Sequence, residues 1–193
     1  MKDNIHDYCR MGIVVSMAYP QSVSSEQAFV ESLKNILVDP FFEVVELGHL
    51  PFAALNESVP KLVSMAHCTT TYSGHSLLFA NKLNINSLNE NERAEAVSIL
   101  KEGLDEAYAL GAEEFQFLSR GYEKGKEDQY LDALITSTKE LCAYAQEKGD
   151  MPIVLEVFDH TIDKKSLLGP APLVRKYAQE VCREYKNFGI MID

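Results

Sequence analysis

Two carboxylates stand in apolar runs in the second half of the chain. Glu156 lies within Ile153-Val154-Leu155-Glu156-Val157-Phe158-Asp159, and Asp193 ends Phe188-Gly189-Ile190-Met191-Ile192-Asp193. A carboxylate in such a run is costly to bury unless a cation or hydrogen bonds compensate it. In a (β/α) barrel, the C-terminal strand ends are where metal and catalytic ligands are offered. The same rule adds Glu46, His49, His75, Ser119, Arg120, Asp159 and His160 to the candidates. Glu46 suits a substrate hydroxyl, His49 and His75 suit metal or substrate, and Arg120 suits an anionic group. Asp159 and His160 would shape the site or pair with Lys164 or Lys165. Each has an ordinary alternative: Glu156 as a strand glutamate turned outward, Glu46 as a solvated rim carboxylate, Arg120 in a solvated loop with Gly121-Tyr122-Glu123-Lys124.

The elements that must position these residues alternate short β-like runs with longer helical ones. Strands are expected at Gly12–Met17, Phe41–Leu47, Cys68–Tyr72, Glu114–Ser119, Ile153–Phe158 and Phe188–Asp193. The first helix is expected to begin near Ser24, where Ser24 and Gln27 have capping-box spacing and Phe29, Leu33, Ile36 and Leu37 form an apolar stripe. Further helices are expected from about Pro51 to Ala66, from the Ser87/Glu90 cap to Gly111, from beyond Asp128 to Gly149, and from about Pro172 to Lys186. The segment Ser73–Asn86 is expected to be a long functional loop. Helical crossovers imply parallel strands, which leaves an incomplete TIM barrel of about six βα units or a doubly wound sheet. Met17-Ala18-Tyr19-Pro20 after the first strand is no Gly-rich phosphate loop, which lowers the nucleotide-binding alternative.

Size and charge narrow the class. At 193 residues and 46% hydrophobic, the chain fits one domain spanning 1–193, short of the about 250 residues of a complete eight-unit barrel. Eighteen Lys and Arg against 29 Asp and Glu give a net charge of −11, and no basic cluster tracks a phosphate backbone, so nucleic acid is not expected as a partner. No apolar run approaches membrane-span length and no signal core follows the first residues, so a soluble cytoplasmic protein is expected, with no membrane partner. Cys9, Cys68, Cys142 and Cys182 form no CxxC pair and read as free thiols in a reducing compartment.

The stretches Leu155-Glu156-Val157-Phe158-Asp159, Ile162-Asp163-Lys164-Lys165, Leu167-Leu168-Gly169-Pro170 and Asn187–Asp193 resemble the xylose-isomerase-like sugar phosphate isomerase/epimerase family of TIM barrels. Leu110–Ser119 resembles that family's fourth-strand region. The resemblance implies a divalent metal (Mn, Mg, Co or Zn) at the barrel mouth. Glu156 matches the glutamate that binds metal and moves a proton, and Asp193 matches a second metal ligand. A seventh-strand histidine and an eighth-strand glutamate complete the family's set, and no position here matches them. The implied substrate is a sugar or sugar phosphate, with Glu46, His75, Arg120, Asp159 and His160 as substrate-binding candidates.

Isomerisation or epimerisation beside a carbonyl removes a carbon-bound proton and leaves an enediolate. A metal can act there as Lewis acid and template while a carboxylate abstracts the proton and a second group returns it. Endonuclease-like members of the superfamily must grip DNA, which the acidic balance disfavours. The competing reading is a non-catalytic truncated barrel. Six strands of an eight-stranded barrel would leave open edges, so self-association into a homo-oligomer through exposed barrel edges, or binding of a partner, is expected.

Overall fold

The computed structural model describes residues 4–192; Asp193 lies outside the described residues. Among the described residues, six strands lie in sequence order, β1-β2-β3-β4-β5-β6, in one sheet with helices between them. This is the α/β barrel order that the alternating pattern implies, and among the described residues no strand departs from sequence order as a doubly wound sheet would require. The chain forms two compact units: residues up to Ser73 with Glu106–Glu113, and Gly74–Asp105 with the residues from Glu114 on.

In the first unit, β1 (Gly12–Val14) pairs in parallel with β2 (Val44–Leu47), and β2 with β3 (Thr69–Ser73), in the register Glu46↔Thr71 and Leu47↔Tyr72. Val45, Leu47 and Tyr72 are buried, and Tyr72 reaches the helix residue Glu106 through its hydroxyl at 2.5 Å. Alternation then turns Glu46 to the face opposite the helices. The apolar run after β1 does not continue the strand: Val15–Ala18 forms the short helix α1, closed by the Tyr19 N–H on the Val15 carbonyl at 2.9 Å. Apolarity alone does not separate a strand from a buried helical turn. The helix α2 (Glu26–Leu37) starts one residue later than expected. Its cap is Ser25, whose Oγ accepts the Ala28 N–H at 3.1 Å, while Ser24 donates to the Gln21 carbonyl in a preceding 3-10 turn. The second strand is also shorter than expected, because Asp39 draws Phe41 and Phe42 into a turn through its carboxylate (3.0 Å) and carbonyl (3.2 Å). The helix α3 spans Leu55–Met65.

In the second unit, β4 (Ala112–Leu118) pairs in parallel with β5 (Ile153–Val157), and β5 with β6 (Phe188–Ile192). The register puts Leu118, Glu156 and Met191 in one row. Phe115, Phe117, Ile153 and Leu155, on the other face, are fully buried, as are Leu100 and Leu104 of α5 (Glu90–Ala109) and Leu131, Leu134 and Leu141 of α6 (Glu127–Lys148). The expected α5 terminus holds: Gly111 adopts φ 68°, the left-handed conformation that a C-cap favours. α7 spans Ala171–Cys182.

The segment expected to be a long loop contains a helix, α4 (His75–Ala80). Its start is fixed by Gly74, whose N–H donates to the Gln116 carbonyl at 2.8 Å. A Cβ at Gly74 would sit 2.6 Å from Phe115 Cζ, so only glycine lets the chain pass this close to β4. The close approach delivers His75 to the end of the strand row that carries Glu156.

Candidate active site

Glu156 lies near the end of β5 with its side chain 12% exposed. His75 is 15% exposed, and its Nε2 stands 3.4 Å from Glu156 Oε2. The imidazole meets the Phe158 ring edge-on at 5.6 Å and hydrogen-bonds the Phe117 carbonyl. A carbonyl only accepts, so the nitrogen facing it carries the proton, and Nε2 is a buried polar atom without a hydrogen-bond partner. Burial lowers the His75 pKa to about 4; the Phe117 bond opposes this and the Lys164 charge adds to it, so the ring is neutral at ordinary pH. Two sequence candidates thus meet within the second unit.

Arg120, Lys164 and Phe79 form a second group in the same unit. The Arg120 guanidinium lies over the Phe79 ring at 4.2 Å and Lys164 Nζ stands 5.9 Å from the same ring centre. Desolvation lowers the Arg120 pKa, and among the described residues no carboxylate pairs with it. Lys164 pairs with its exposed neighbour Asp163 at 2.7 Å. Two cations thus lie against one aromatic ring.

The loops that carry these cations are pinned. Asn86, fully buried, accepts the Arg120 N–H at 2.6 Å and donates to the Gly121 carbonyl at 2.9 Å; Asn84 reaches the same carbonyl at 3.0 Å. The pair escaped sequence reasoning, and its only signal was two asparagines in a segment read as loop. Ser119, buried, accepts the Leu168 N–H at 3.0 Å, so it ties two loops together.

Asp159 and His160 are engaged within their own loop. Asp159 accepts the N–H groups of Ile162, Asp163 and Lys164 at 2.6, 2.8 and 2.8 Å. These bonds, that of Lys164 foremost, hold its carboxyl at about 2. His160 Nδ1 donates to the Ser166 carbonyl at 2.8 Å, so its Nε2 accepts the Tyr122 hydroxyl at 2.7 Å, with the two rings stacked. The expected pairing of these two with the Lys164 or Lys165 side chain is replaced by a backbone turn.

Glu46 and His49 belong to the first unit. Glu46 is half-buried near the end of β2. His49 donates from Nδ1 to Glu106 at 2.9 Å, and Glu106 also accepts the Leu50 N–H at 3.1 Å, so His49 helps to hold the loop after β2. Among the described residues, no three His, Cys, Asp or Glu side chains cluster as a metal site. The second expected ligand, Asp193, lies outside the described residues.

No protein-family model and no curated protein matches the sequence. Solved structures match the fold. A D-tagatose 3-epimerase-like protein superposes with a TM-score of 0.73 at 18% identity, over 96% of this chain and 65% of its own. The fold is that of the xylose-isomerase-like epimerase barrels. D-psicose 3-epimerase from Clostridium cellulolyticum H10 superposes with a TM-score of 0.73 at 16% identity, over 96% of this chain and 63% of its own. A xylose isomerase domain protein from Alicyclobacillus acidocaldarius subsp. acidocaldarius gives 0.61 at 13%, over 94% and 62%. The chain therefore spans a little under two thirds of the barrels it matches. No helix among the described residues is long and apolar enough to cross a membrane.

Proposed function

We propose that this chain carries part of the active site of a metal-dependent sugar or sugar-phosphate isomerase or epimerase, with Glu156 moving the proton. The observation that supports it best is the Glu156 carboxylate, 12% exposed at a strand end and facing a buried imidazole nitrogen that has no hydrogen-bond partner. A nearly buried carboxylate opposite an orphaned acceptor fits a cation. Glu156 and Asp193 would hold it, and a bound divalent ion would supply Lewis-acid polarisation of the substrate carbonyl. Glu156 takes the proton from the carbon next to that carbonyl, giving an enediolate, and can return it. The Phe158 ring packs edge-on against His75 at 5.6 Å.

The Arg120–Phe79–Lys164 group supports a phosphorylated sugar, because two cations stand at one aromatic ring and, among the described residues, only Lys164 has a carboxylate partner, Asp163. Solved structures of the same fold include enzymes named for D-tagatose and D-psicose, which supports a ketose skeleton. The free cysteines fit a reducing, cytoplasmic setting, and the net charge of −11 fits a small substrate better than nucleic acid.

The test is solvent exchange. The wild-type chain, given Mn²⁺ and a ketose phosphate in D₂O, incorporates deuterium at the carbon beside the carbonyl, read by NMR. Glu156→Gln lowers that rate by about 10²–10⁴-fold. Exchange that is absent from wild type, or equal in the two proteins, overturns the proposal.

A further inference from the structure

We propose that His75 is a ligand of the cation held by Glu156, its Nε2 and the carboxylate Oε2 binding one ion between them. This rests on the reading of Glu156 above and adds a nitrogen ligand from the β3–α4 junction, with a consequence for which ions can bind. His75 Nε2 carries a lone pair, Glu156 Oε2 is an acceptor, and both side chains are at least 85% buried, from exposures of 15% and 12%.

A shared proton does not fit the separation. A charge-assisted N–H···O bond is about 2.7–2.9 Å long, whereas these atoms are 3.4 Å apart. A metal fits it. Ligand bonds of about 2.0–2.1 Å to nitrogen and about 2.0–2.2 Å to oxygen, opened to a tetrahedral angle, put the two donor atoms about 3.4 Å apart. A right angle between them gives about 3.0 Å. The other imidazole nitrogen is anchored on the Phe117 carbonyl, the arrangement that fixes ring orientation in metal-binding histidines. Gly74 holds the first residue of α4 against β4, so the ring is presented by a rigid element.

An imidazole ligand selects among the ions that a carboxylate alone would accept. Magnesium and calcium favour oxygen donors, while zinc, iron, nickel and copper suit imidazole. The chain therefore prefers a first-row transition ion to Mg²⁺.

Two measurements test this without relying on turnover. Mn²⁺ binding by electron paramagnetic resonance is compared for wild type, His75→Ala and Glu156→Gln, with circular dichroism to verify folding. Loss of the imidazole weakens binding by at least about 10–100-fold, the effect of losing even an outer hydrogen-bond partner of a ligand. Co²⁺ added to His75→Cys gives a near-ultraviolet thiolate-to-cobalt charge-transfer band that Co²⁺-loaded wild type lacks. This second reading holds even where His75→Ala is unstable. Affinity within about twofold of wild type in His75→Ala, with Glu156→Gln weakened, overturns the role of His75 and leaves that of Glu156 standing. Absence of the band in a folded His75→Cys chain counts against it in the same way. A wild-type chain that binds neither ion overturns both.

Discussion

Asn86→Ala removes the side chain that fixes the loop after β4. In the native chain Asn86 is 0% exposed, its Oδ1 accepts the Arg120 N–H at 2.6 Å and its Nδ2 donates to the Gly121 carbonyl at 2.9 Å. Alanine leaves the Arg120 N–H without that acceptor, while the Gly121 carbonyl keeps Asn84 at 3.0 Å. An orphaned donor costs about 1–3 kcal/mol and the second lost bond about 1 kcal/mol, so the substitution destabilises by about 2–4 kcal/mol. In a chain of this size that lowers the Tm by roughly 5–15 °C, read by calorimetry. The same loop carries the guanidinium over Phe79, so inorganic phosphate, titrated calorimetrically below the transition, binds more weakly to Asn86→Ala than to wild type. A Tm within about 2 °C of wild type would refute the claim that Asn86 organises this loop.

Asp159 and Cys142 give two further expectations. The Asp159 carboxyl sits at about 2 against an ordinary 3.8, so the unfolded chain binds its proton more readily. Its contribution to stability is complete above the ordinary value and is lost as pH falls from there to about 2. Urea midpoints therefore drop more steeply on acidification in wild type than in Asp159→Asn; parallel profiles would contradict the turn drawn here. Burial, helped by the neighbouring Cys182, pushes the Cys142 thiol up to about 12. Alkylation of the native chain near neutral pH then labels the exposed Cys9 and spares Cys142, as mass mapping would report; prompt labelling of Cys142 would be the contrary result.

The parts of this protein legible in its sequence were those governed by periodicity. The helical stripe of α5 and its glycine stop, and the apolar run around Glu156, follow from local pattern. Boundaries set by single side chains were not legible: nothing in the order Ser24-Ser25 says which serine caps α2, and Asp39 shortens β2 from outside the strand. His75 and Glu156 were each visible as strand-end candidates, but their meeting depends on Gly74 packing against Phe115, a contact between distant parts of the chain. Asp159 and His160 looked available for substrate because sequence shows side chains and hides the backbone groups that engage them.

The most direct measurement is anomalous diffraction from crystals of the chain soaked in Mn²⁺ and recorded at the manganese edge. The account predicts a dominant peak about 2.0–2.2 Å from the Glu156 carboxylate. A dominant peak elsewhere, or none at Glu156 under saturating Mn²⁺, would contradict it.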